Sequence, residues 1–131
     1  MQIGRKNVHG KGGVRFKTPY TSSKQKAQVR NLVTELVLFE KVTVTRSMVK
    51  DVVKTFDHLI TLSKKGDLHA RRQAASILRD YKVDGEPEAL TKLFNDLAKR
   101  CALRNGGYLK VYKLVNRKGD NAPMRLLTIA D

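Results

Sequence analysis

Three histidines, one cysteine and twelve carboxylates are the side chains that could do acid–base, nucleophilic or metal chemistry, and their spacing supports none of it. His9, His58 and His69 are scattered, and no Cys–His spacing with Cys101 matches a tetrahedral metal site. The run Gly10-Lys11-Gly12-Gly13 has the texture of a phosphate loop. It lacks both the Gly-Lys-Ser/Thr ending and a preceding strand, which together aim backbone amides at a nucleotide. Asp96 stands four residues before Arg100, the spacing of an ordinary ion pair on a helix surface. The other acids fall mostly at helix caps or beside basic residues, where charge is simply solvated. No catalytic residue, metal ligand or cofactor is assigned, and neither an enzyme nor a small-molecule substrate is expected.

The chemistry that the chain does offer is electrostatic. Its first thirty-four residues hold eight cations (Arg5, Lys6, Lys11, Arg15, Lys17, Lys24, Lys26 and Arg30) and no carboxylate before Glu35. Such a segment repels itself and becomes favourable to hold in place only against a polyanion. Gly4, Gly10, Gly12 and Gly13 permit close approach, and Phe16 and Tyr20 supply flat surfaces for stacking. The net charge is +15, a load whose self-repulsion a bound polyanion relieves. A membrane partner is not expected. The longest apolar run, Leu36 to Phe39, is far too short to span a bilayer, and no helix pairs a basic face with a Trp/Phe-rich one. Nucleic acid is the expected partner. An apolar signal-peptide centre is missing and the single cysteine cannot form an internal disulfide, so the cytoplasm is the expected compartment.

Three further groups are candidate contacts. Lys64, Lys65, Arg71 and Arg72 bracket a chain break at Gly66-Asp67, which can gather them on one edge. Tyr108, Lys110 and Tyr112 alternate with Leu109 and Val111. On one strand face they can stack bases, or the tyrosines can pack beneath a helix. Arg117 and Lys118 fall in a Gly/Asn/Asp-rich turn, placed to touch phosphates, which position without reading sequence.

The elements that must carry these groups follow from periodicity. Thr21-Ser22-Ser23 offers a hydroxyl cap for a first helix with its stripe at Val29, Leu32, Val33, Leu36 and Val37. Lys24, Lys26 and Arg30 lie in its early turns, where the helix dipole disfavours cations. Residues 41–45 alternate as a strand. Thr45 or Ser47 can cap a second helix with its stripe at Val49, Val52, Val53, Phe56 and Ile60, ending at Lys64-Lys65-Gly66. Asp67 caps a third helix, to about Leu78, and residues 81–87 form a loop. A fourth helix puts Leu90, Leu93, Phe94, Leu97 and Cys101 on one face and breaks at Gly106-Gly107. Strands over 108–115 and 124–130 form a hairpin around a turn at 116–123. Leu109, Val111, Leu126 and Ile129 are expected to complete the core. The reading is an α+β fold of two layers, with a three-stranded mixed sheet. A basic N-terminal extension over 1–21 precedes a single domain over 22–131.

Several blocks in this order carry a resemblance. They are Ser22-Ser23 with Arg30-Asn31-Leu32, then Ile60-Thr-Leu-Ser-Lys-Lys-Gly-Asp-Leu-His-Ala-Arg-Arg-Gln-Ala74. Lys92-Leu-Phe-Asn-Asp-Leu97, Gly106-Gly107-Tyr108 and Gly119-Asp-Asn-Ala-Pro-Met124 follow. From about Ser22 to its end, the chain resembles the bacterial large-subunit ribosomal protein seventeen family. It departs at the front, where members reach the Ser-Ser pair sooner and lack the glycine cluster. The resemblance implies a helix, a strand, three helices and two strands, no catalytic activity, and a basic arm reaching into large-subunit ribosomal RNA. It also implies neighbouring large-subunit proteins as partners. Carried over, Arg5, Lys6, Lys24, Lys26, Arg30, Arg71 and Arg72 become RNA-binding. A free-standing nucleic-acid-binding regulator or chaperone is the rival reading. A groove-reading helix with Asn, Gln or Arg at its start would favour it, and none is clear.

Overall fold

The computed structural model describes residues 22–79, 82–83 and 86–130. The predicted extension over 1–21, with Arg5, Lys6, Lys11, Arg15, Lys17 and the Thr21 cap, lies outside the described residues.

Helix α1 spans Ser22–Phe39 and buries Val29, Val33, Leu36 and Val37 along its apolar stripe. It ends on Glu40, whose φ of 64° is the left-handed conformation usually left to glycine, with its N–H donating to the Leu36 carbonyl at 2.8 Å. The Glu40 carboxylate ion-pairs with Arg100 and, at 3.6 Å, with Lys92, contacts that offset the backbone cost at this corner. Strand β1, Lys41–Thr45, follows at once and alternates exposed lysine and threonine with buried Val42 and Val44.

The predicted hydroxyl cap of the next helix is not used. Thr45 and Ser47 share a hydrogen bond with each other at 3.2 Å, and a 3-10 turn, Arg46–Met48, leads into α2, Val49–Lys65, without a side-chain cap. Gly66 ends α2 at φ 69°, donating to Leu62 at 3.3 Å. Asp67 then accepts from the Ala70 N–H at 2.7 Å and starts α3, Leu68–Ile77. Both ends of this junction match the sequence expectation, because Gly and Asp each satisfy a purely local requirement.

The predicted loop contains a minimal antiparallel ladder, β2 (Lys82–Val83) with β3 (Glu86–Pro87). Helix α4 then runs through Glu88–Lys92, Leu93–Leu97 and Ala98–Arg100. Its middle segment is a π turn, closed by the Ala98 N–H on the Leu93 carbonyl five residues back. Leu90, Leu93, Leu97 and Cys101 remain buried, with Phe94 half covered, so the helical stripe survives the widened turn.

Strands β4, Leu109–Leu114, and β5, Met124–Ile129, form the expected hairpin, and β5 also pairs with β1. The order is β1-β5-β4 and every pairing is antiparallel, which supports the α+β class and corrects the expected mixed sheet. A hairpin makes β4 and β5 antiparallel, and the C-terminal strand enters the middle running opposite to β1.

Helix α1 packs on α2 and on strands β1 and β5, while α2 packs on α3 and α4. The core therefore lies between the helices and one sheet face, built from Val42, Val44, Leu127 and Ile129. Leu127, not Leu126, is the core residue of β5, since Leu126 and Ile129 are three apart and a strand alternates by two. Val111, opposite Leu127, is still 46% exposed, because β4 is an edge strand at the rim of the helical layer.

Candidate nucleic-acid interface

The fold distributes the described candidate cations among two structural roles. On α1, Lys24 and Lys26 are exposed, and the first turn holds no acid. Arg30 is half-buried, and its Nε donates to the Ile77 carbonyl at 2.9 Å, tying α1 to the end of α3. The same seam is closed by Thr34, whose buried hydroxyl donates to the Arg30 carbonyl at 2.7 Å and accepts from the Arg79 N–H at 3.0 Å. The Arg79 Nε donates to Asn31 Oδ1 at 2.8 Å. Nothing local marks this seam, whose partners lie more than forty residues apart.

The α2–α3 junction divides in the same way. Lys64 Nζ donates to the Tyr108 hydroxyl at 2.7 Å and to the Arg104 carbonyl. Although Nζ is also 4.7 Å from the ring centroid, the shorter distance makes this a hydrogen bond at the ring's polar end rather than a cation seated on its face. Arg71 lies over the Phe94 ring at 5.4 Å and is half-buried there. Lys65 and Arg72 are exposed, and neither has a hydrogen bond or ion pair among the described residues. Of these four cations, Lys64 and Arg71 hold the fold and Lys65 and Arg72 face outward.

Of the two readings open for Tyr108, stacking or packing, the fold takes packing. Tyr108 precedes β4, is only 4% exposed and donates from its hydroxyl to the Arg104 carbonyl at 3.1 Å, so no base can lie on its ring. Tyr112 is 49% exposed on the outer sheet face, with Lys110 on the same side. The register adds a residue that local sequence could not supply. Lys41 and Lys110 both sit opposite Thr128, so two exposed lysines occupy one row across the open face.

At the hairpin tip, Arg117 grips Asp120 with two bonds, Nε to Oδ1 at 3.2 Å and a terminal nitrogen to Oδ2 at 2.6 Å. Asp120 also accepts from the Ala122 N–H at 3.1 Å. Arg117 foremost, then the Ala122 amide, hold the Asp120 carboxyl down to about 2. A depressed carboxyl favours the folded turn above the ordinary carboxylate range, and that contribution is lost as pH falls through about 2. In an acid titration followed by NMR, the Asp120 side-chain carbon should shift with a midpoint near about 2. Arg117→Gln should raise that midpoint, whereas an unchanged titration would mean that the guanidinium does not hold the turn. Lys118 is exposed beside this clamp.

The Asp96–Arg100 pair expected on α4 is present at 3.5 Å. Among the described residues, no group of His, Cys, Asp and Glu could hold a metal ion, and no helix is long and apolar enough to cross a membrane.

Comparison with known proteins bears on the same stretch of chain. Residues 28–130 match the family model described as Ribosomal protein L17. The large ribosomal subunit protein bL17 of Mycoplasma capricolum is 55% identical over 103 residues, covering 79% of this chain and 87% of the relative. That of Pediococcus pentosaceus is 50% identical over 119 residues, covering 85% and 94%. That of Lactococcus lactis subsp. cremoris is 46% identical over 117 residues, covering 83% and 93%. The matched span holds all but the first turns of α1, every other element of the fold and the basic junctions built on them, and the chain belongs to the ribosomal protein L17 family.

Proposed function

We propose that this chain is a structural constituent of the large ribosomal subunit, in the cytoplasmic ribosome, and that it binds ribosomal RNA mainly through phosphate and shape. The observation that carries this reading is the family match over residues 28–130. The charge distribution supports it, since the net charge is +15 and exposed cations occur on α1, at the α2–α3 junction and on the open sheet face. The protein has no catalytic role in this reading. It neutralises RNA backbone charge so that strands can approach one another. The extension over 1–21 acts as an RNA-binding arm on the globular part, residues 22–131. Arg5, Lys6, Lys11, Arg15 and Lys17 serve on the arm, and Lys24, Lys26, Lys65, Arg72, Lys110 and Lys118 serve on the folded part. Neighbouring large-subunit proteins complete its surroundings.

Density-gradient sedimentation of cell extract tests this reading. The protein should travel almost wholly with large subunits and remain there after a moderate salt wash. A protein found mainly at the top of the gradient would support the free-standing regulator instead.

A further inference from the structure

A groove of about 520 Å³ lies between α1 and α2, closed at one end by Ile77 of α3. Its apolar floor is Val29 and Ile77, and its walls carry basic side chains from both helices. Lys26 and Arg30 come from α1, and Lys54 and His58 from α2, each pair four residues apart and therefore on one helix face. Lys54 and His58 lie outside the basic runs that stand out in the sequence.

Like charges four apart on a helix destabilise it, and here a second helix brings another lysine to the same groove. One carboxylate, Asp51, is among the lining residues, and it accepts from the Gln25 amide at 3.2 Å. Lys26, Lys54 and His58 are exposed, with no hydrogen bond or ion pair among the described residues. Helix α1 has no acid in its first turn to balance its positive dipole end. The groove thus combines walls on which three cations, Lys26, Arg30 and Lys54, outnumber the single Asp51 carboxylate with an apolar floor, and Gln25, whose buried Oε1 has no hydrogen-bond partner among the described residues, also lines it.

We propose that this groove seats the sugar–phosphate backbone of one RNA strand. Phosphates lie against Lys26 and Lys54, the His58 ring offers an N–H to a phosphate oxygen, and ribose carbons cover Val29 and Ile77. Arg30, already tied to the Ile77 carbonyl, fixes the position of the wall. This site extends the binding surface to α2 and rests on the RNA-binding reading above.

The test uses the full chain and a transcript of large-subunit ribosomal RNA. A Lys26→Gln/Lys54→Gln double variant is compared with Lys99→Gln/Lys113→Gln, which removes the same charge from exposed positions outside the groove. Two lost phosphate contacts should shallow the slope of log affinity against log salt by about 1.4–1.8, and the control pair should change it by less than about 0.5. Without RNA, the groove variant should melt at or above the temperature of the parent, because like charges have been removed. Weaker binding with undiminished stability separates a lost contact from a damaged fold. If the parent binds and the two variants bind alike, the groove is not an RNA seat, as would also follow were an acidic protein segment its occupant. If the parent itself fails to bind the transcript, the RNA-binding reading falls and the groove inference with it.

Discussion

Phe56→Ala is expected to cost about 3–5 kcal/mol of folding stability, the range for truncating a fully buried aromatic ring. Phe56 has no exposed surface and belongs to the core joining α1, α2, α4 and the sheet. Its removal deletes the largest of the fully buried side chains, and the surrounding helices can close over the cavity only in part. With net stabilities of single domains near about 5–15 kcal/mol, a loss of this size leaves little reserve. Urea denaturation followed by circular dichroism measures it directly. Leu93→Ala, equally buried on α4, should cost about 2–5 kcal/mol. A loss below about 1 kcal/mol for either would be incompatible with the packing described.

Removal of residues 1–20 should change RNA binding more than any substitution on the folded part. The deletion takes away five cations, Arg5, Lys6, Lys11, Arg15 and Lys17. If each meets a phosphate, the slope of log affinity against log salt shallows by about three to five units. Arg72→Gln provides the scale, with an expected change of about one. Arg71→Gln should change the slope by less than Arg72→Gln, since part of the Arg71 guanidinium's interaction is with the Phe94 ring. Titrations across a range of potassium concentrations decide the matter. A truncated protein that keeps the full salt slope would place the RNA surface on the helices and the open sheet face alone.

Much of this protein is legible in local sequence. The stripes of α1 and α2, the glycine that ends α2, the aspartate that caps α3 and the alternation of β1 each satisfy a requirement within a few residues, so spacing alone reveals them. Charge is legible for the same reason. An acid-free run of cations asks for a polyanion whatever the fold does with it. Tertiary structure decided which members of each basic group are available. Lys64 and Lys65 are adjacent in sequence, yet one is bonded to Tyr108 and the other faces outward, because Arg104 and Tyr108 return to the end of α2 from forty or more residues away. Arg30 and Arg117 read as phosphate contacts, and the fold also gives them partners of its own in a helix seam and a turn. Lys41 joins Lys110, and Lys54 faces the groove with Lys26, only through strand order and helix packing. A charged side chain's partner is chosen by whatever the fold brings within about 3 Å of it, and sequence spacing carries that information only within a helical turn or along a strand.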